Sequence, residues 1–196
     1  FMDNVRIPAT NMLGKEGQGW QVAMTTLMHE RMSAGGGGEG FGASAGGLLG
    51  LLRTCKVRGR SAIEDSAIRQ QFARVHIEGM ALRYSGYRRL TSLSRGQVPG
   101  PEGSAGKFMS TDTARHAMEL ALMVEGLAGA VVEGSDYSVF KGAWQKVLLE
   151  LPGMTLAAGT DEILKNIVGE RVLGLPPEPR IDKGIPFKDL PRGTMR

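Results

Sequence analysis

The stretch Gly19 to Ser33, GWQVAMTTLMHERMS, decides how the chain is read. Trp20, Ala23, Met24, Leu27 and Met28 recur at the spacing of one helical face, which predicts a helix with a buried apolar stripe. A helix carries Glu30 to the edge of that stripe, because Glu30 follows Leu27 by three residues, and places Arg31 nearer its middle. Burial disfavours a charged carboxylate and a nearby guanidinium favours it, so the edge of a stripe is where the two effects compete. Two readings of Glu30 follow: a surface carboxylate paired with a neighbouring base, or a general base in an apolar pocket.

Further helices are predicted on both sides of a glycine-rich loop at Gly35 to Gly38. ASAGGLLGLLRTC, from about Ala43 to Cys55, gives a second helix. Asp65 or Ser66 caps a third, with Ile68, Phe72, Val75, Gly79 and Leu82 on one side and a run to about Leu93. Arg74, Glu78 and Arg88 on its outer face read as solvated charges. Ser104 to about Gly126 is apolar nearly all round its second half and belongs at the centre of a bundle; His116 within it reads as a packed or partly exposed side chain. A shorter helix over Val139 to Glu150 is expected to stop at Pro152 and Gly153. In the last helix Thr160 caps, Asp161 and Glu162 occupy the first turn, Ile163, Ile167 and Val168 form the apolar face, and Gly174 with Pro176 ends it. Two acids in that first turn oppose a phosphate and suit hydroxyls or an adenine edge.

The chain of 196 residues, 41% hydrophobic and 22% charged, suffices for one substantial core. The expected class is all-α, an antiparallel four-helix bundle of up-down type over residues 18–175. Residues 1–17 read as a strand end and linker from a preceding β-domain, since Val5 and Ile7 alternate before Pro8, Asn11 and Gly14. Residues 176–196 read as an extended tail. The net charge of +4 is dispersed, and the one basic and aromatic cluster, Arg83 to Arg89, comes with no nucleic-acid-binding motif. One cysteine, Cys55, with three histidines, excludes a disulfide framework and argues against a Cys/His metal cluster. No apolar run spans a bilayer and no signal peptide opens the chain, so a reducing cytoplasm is expected. The first residue, Phe1, suggests a start inside a larger protein.

The opening FMDNVRIPATNMLGKEGQGW with LMHERM, and the closing AAGTDEILKNIVGERVLGLP, resemble the C-terminal helical domain of the acyl-CoA dehydrogenases. The likeness spans nearly the whole chain and weakens at the glycine-rich loop and at VRGRSAIEDSAIRQQ, which departs from the family's cofactor-holding pattern. The resemblance implies a flavoprotein oxidoreductase of fatty acid or lipid catabolism: a glutamate takes the α-proton of an acyl-CoA thioester while the β-hydride passes to FAD. Many members carry that glutamate immediately before the Gly-Thr pair near the C-terminus, where this chain has Ala158. Others carry it on the first helix of the domain, immediately before an arginine, and Glu30-Arg31 matches that pattern. By the same resemblance Arg31 would lie by the acyl-CoA, and Gly159, Thr160 and Glu162 near FAD. An electron-transfer flavoprotein would take the electrons, and the protein would be a homo- or hetero-oligomer. Taken alone, the fragment is expected to fold as a bundle, associate through apolar faces, bind FAD poorly and be inactive. Two alternatives stay open: a non-catalytic assembly subunit of a heteromeric acyl-CoA dehydrogenase, and an oxidase or nitroalkane-type relative on the same fold.

Overall fold

The computed structural model describes residues 1–34, 45–97, 100–179, 182 and 184–190, without the side chains of residues 28, 31–34, 45 and 187. The glycine-rich loop lies outside the described residues. Among them are α1 (Gly19–Ala34), α2 (Ala45–Thr54), α3 (Ser66–Ser94), α4 (Gly103–Glu125), α5 (Ala143–Leu156) and α6 (Asp161–Arg171). The chain is all-α in class, as its periodicity indicates. No helix is long and apolar enough to cross a membrane among the described residues.

Helix α4 packs against α2, α3, α5 and α6 and also touches α1. Its neighbour α3 runs antiparallel to it: His116 of α4 meets Glu78 of α3, while Ser85 and Arg89, further along α3, share a groove with Glu102 and Gly106 at the start of α4. The core between them is built from Leu48, Leu51 and Leu52 of α2, Ile68 and Val75 of α3, Ala117, Leu120 and Ala121 of α4, and Trp144, Val147 and Leu151 of α5. Each large apolar side chain so buried contributes about 1.5–3 kcal/mol. Asp65 caps α3 through Oδ1, which accepts from the N–H groups of Ala67 and Ile68.

Three expectations need correction. The stripe of α1 is not buried in this chain: Trp20 is 76% exposed, and Met24 and Leu27 are exposed too, because among the described residues α4 is the main element packed on this helix and it leaves the stripe uncovered. Val22, outside that stripe, is the half-buried residue, packed on Gly14. Helix α5 does not stop at Pro152 but runs on to Leu156. Pro152 is exposed, on the flank of the helix away from the buried Trp144, Val147 and Leu151, where water can satisfy the carbonyl that the missing N–H leaves open. Residues Val5 and Ile7 form no strand; both are exposed, and a lone extended segment has no ladder to join. Between α2 and α3 a two-stranded antiparallel hairpin, β1 (Lys56–Val57) and β2 (Arg60–Ser61), turns through Arg58 and Gly59, both at positive φ.

Before α5 the backbone passes through Phe140, Lys141 and Gly142 at φ of 48°, 55° and 69°. Gly142 is needed twice over: its φ is left-handed, and a Cβ there would lie 2.7 Å from the Glu133 backbone nitrogen.

Candidate functional site

Glu30 lies on α1 one turn before its end and is exposed in this chain. The side chain of Arg31 lies outside the described residues. Helix α1 begins after Gln18, whose side chain accepts from the Lys15 N–H and whose carbonyl accepts from the Val22 N–H. Thr25 and Thr26 turn their hydroxyls back onto the Gln21 and Val22 carbonyls, so their polar atoms are satisfied within the helix.

The second group of expected residues sits on the turn from α5 into α6. Thr160 is the N-cap of α6 and accepts from the Ile163 N–H at 3.3 Å. Ala158 has φ 55° and Gly159 φ 91°, so two successive residues are left-handed. For alanine this conformation costs about 1–2 kcal/mol and must be imposed by the surroundings. Glu162 is exposed on the first turn. Asp161 is not a surface acid: it is buried, its Oδ1 accepts from the Lys107 ammonium at 2.7 Å, and its Oδ2 accepts from the Thr111 hydroxyl at 2.8 Å. Lys107 also donates to the Thr155 carbonyl at 2.9 Å and the Gly159 carbonyl at 3.1 Å, which fills all three donors of an ammonium. The inner face of α6 is therefore Asp161 and Leu164, while Ile163, placed on the apolar face by the spacing, is 53% exposed.

Sequence reasoning missed Lys107 and Thr111. The signal that could have found them is their register: Lys107, Thr111, Ala114, Met118, Ala121 and Glu125 form one stripe of α4, and all six are buried.

Glu30 and the α5–α6 turn stand on separate elements. Two further polar clusters brace α4. His116 Nδ1 and Glu78 Oε2 lie 2.9 Å apart, and Arg74 donates both to Glu78 Oε1 at 2.9 Å and towards His116 Nε2 at 3.1 Å. An arginine can only donate, so Nε2 accepts and the Nδ1 proton points at Glu78. Burial raises the Glu78 carboxyl, but the hydrogen bonds from His116 and Arg74 outweigh it and hold it below the ordinary carboxylate range. Glu78 thus ties α3 to α4 rather than being a solvated charge. At the other end, Glu125 pairs with Gln145 of α5. Burial, and then the charge of Glu125, push the Cys55 thiol up, which leaves it protonated and a poor nucleophile. Among the described residues no group of three or more His, Cys, Asp or Glu is gathered as a metal site.

Residues 17–173 match the family model of the acyl-CoA dehydrogenase C-terminal domain. The chain is 30% identical over 185 residues to the acyl-CoA dehydrogenase IpdE1 of Mycobacterium tuberculosis, covering 91% of this chain and 44% of that protein. It is 27% identical over 179 residues to the acyl-CoA dehydrogenase FadE26 of the same organism, with 90% and 45% covered. Among solved structures it is similar to the ChsE4-ChsE5 complex from Mycobacterium tuberculosis, at 27% identity and a TM-score of 0.71 over 90% of this chain and 46% of that one. The chain thus spans less than half the length of these relatives.

Proposed function

Since the chain belongs to the acyl-CoA dehydrogenase family, as its match to that family's C-terminal domain over residues 17–173 shows, we propose that it is part of a flavin-dependent enzyme that oxidises an acyl-CoA thioester, with Glu30 as the base. The observation that carries this reading is the state of the α5–α6 turn. Position 158 is alanine, and the neighbouring carboxylate of Asp161 is held by Lys107 and Thr111, so neither can take a proton from a substrate. Glu30 is a carboxylate at the alternative position, on a helix whose apolar face is uncovered in this chain.

The residues of the turn fit part of a bound FAD. The Thr160 hydroxyl accepts from Ile163 N–H and so keeps its own proton to donate, and the exposed Glu162 carboxylate can accept from sugar hydroxyls. The same acid opposes the pyrophosphate, which must be neutralised elsewhere. When bound, FAD supplies the acceptor for the β-hydride. Glu30 takes the α-proton, Arg31 contributes to binding the acyl-CoA, and Gly159, Thr160 and Glu162 border the flavin. Trp20, Met24 and Leu27 are covered by protein outside this chain, which excludes water around Glu30. Electron-transfer flavoprotein reoxidises the enzyme, which works as a homo- or hetero-oligomer.

In the full-length protein, Glu30→Gln should keep its flavin and lose substrate-dependent flavin reduction by roughly two orders of magnitude or more. Unchanged reduction removes Glu30 from the role. A second reading, a non-catalytic assembly subunit, is favoured by the likeness to a two-component complex, by Ala158, and by the segment VRGRSAIEDSAIRQQ, which departs from the pattern that the resemblance implies for holding the cofactor. Activity that survives Glu30→Gln together with a co-purifying paralogous chain would establish it.

A further inference from the structure

We infer that Lys107 is a positioning residue for the flavin site: from inside the bundle its ammonium fixes the backbone of the α5–α6 turn on which Gly159, Thr160 and Glu162 stand. The inference rests on the flavin reading above. It begins with burial, since Lys107 is 2% exposed and so has no access to substrate or cofactor itself. Two of its three donors go to main-chain carbonyls, those of Thr155 and Gly159, and the third goes to Asp161. Thr111, one turn further along α4, holds the other oxygen of Asp161. Four hydrogen bonds from a single turn of one helix thus grip residues 155–161 at the end of α5, within the turn and at the start of α6.

Stability alone does not call for such an arrangement. A buried ion pair is seldom better than well-packed apolar side chains, but it does select one backbone geometry among several, because every donor must find its acceptor. The geometry selected here is an unfavourable one, with Ala158 and Gly159 both left-handed. The lock also turns the Asp161 carboxylate inward, where the Lys107 charge compensates it. Glu162 is left as the acid that the first turn of α6 exposes. The charge and the shape offered to a flavin are therefore both set by Lys107.

The test uses the full-length protein. Lys107→Met combined with Asp161→Asn removes both charges together, so that no buried charge is left alone, and circular dichroism with a thermal melt establishes that the variant folds. The dissociation constant for FAD should rise about tenfold or more, and the absorption bands of the bound flavin should shift. Thr111→Val, which removes a single bond of the lock, should raise the same constant about threefold. A folded double variant with the wild-type constant and an unchanged flavin spectrum overturns the inference. Should the double variant fail to fold, an unchanged constant in Thr111→Val overturns it. A wild-type protein that takes up no FAD instead overturns the flavin reading, whereas flavin uptake indifferent to all these changes overturns only the role of Lys107.

Discussion

Gln145 Nε2 donates across 2.6 Å to Glu125 Oε2 and across 3.1 Å to the Ala128 carbonyl, while the remaining oxygen of each side chain, though buried, has no hydrogen-bond partner among the described residues. The two acceptors of Nε2 fix the amide orientation, so Gln145 Oε1 and Glu125 Oε1 are both buried acceptors without a donor among the described residues. Protonation of Glu125 would turn its orphaned oxygen from an acceptor into a donor.

Burial pushes the Glu125 carboxyl above its ordinary range, with the Gln145 bond pulling partly back. A raised value in the folded state gives stability that is complete below the unfolded value of about 4.3 and is lost as pH rises through the folded value. Glu125→Gln should therefore stabilise the protein by about 1 kcal/mol at pH near 8 and by little at pH near 4. Urea midpoints across that range test this; a gain that does not change with pH contradicts it.

Glu78 has the opposite sign. Its folded value is lowered, so its bonds to His116 and Arg74 stabilise above about pH 4.3 and fade as pH falls through the folded value. Glu78→Gln is expected to cost about 1 kcal/mol at neutral pH, with a shrinking penalty in acid. A penalty that persists unchanged in acid would show that packing, not charge, holds the pair.

At Gly142 a side chain meets both a left-handed backbone and the Glu133 nitrogen. Gly142→Ala should cost roughly 2–3 kcal/mol. Gly17→Ala, at φ 83° but in open space, should cost about 1 kcal/mol. Equal thermal shifts for the two would mean that the loop before α5 relaxes around the added methyl.

The chain has two tryptophans, Trp20 exposed on α1 and Trp144 buried in the core. With Trp144→Phe, emission from the 196-residue chain reports Trp20 and should be red-shifted and readily quenched by acrylamide. In the full-length protein the emission lost on Trp20→Phe, which isolates Trp20 from any other tryptophan, should be blue-shifted and protected. Equal quenching in both would refute the proposal that α1 is covered.

Local rules recovered most of the helices. Asp65 and Thr160 are caps that act within three residues, and the apolar periodicity of α3 and α4 is strong enough to declare the inward face. What the sequence could not tell was decided at longer range. A lysine in a helix reads as surface, and only acceptors 48 to 54 residues downstream make Lys107 an interior residue. Proline reads as a stop, yet Pro152 rides the outer side of a helix held by Trp144 and Leu151. The apolar spacing of α1 is real, but spacing specifies a face and not the partner that covers it. Glu30 and the Gly159-Thr160 pair were visible as motifs, whereas the support beneath the second was not.

The reach of the Lys107 lock has a consequence for synthesis. A ribosome delivers α4 well before residues 155–161, and until they arrive this helix carries a cation on its inward face with no acceptors for it. Until then water must solvate that ammonium, so the side of α4 that meets residues 155–161 is the last to close. A chain released short of Asp161 would therefore leave Lys107 without its counter-charge and the last layer of the bundle unfastened.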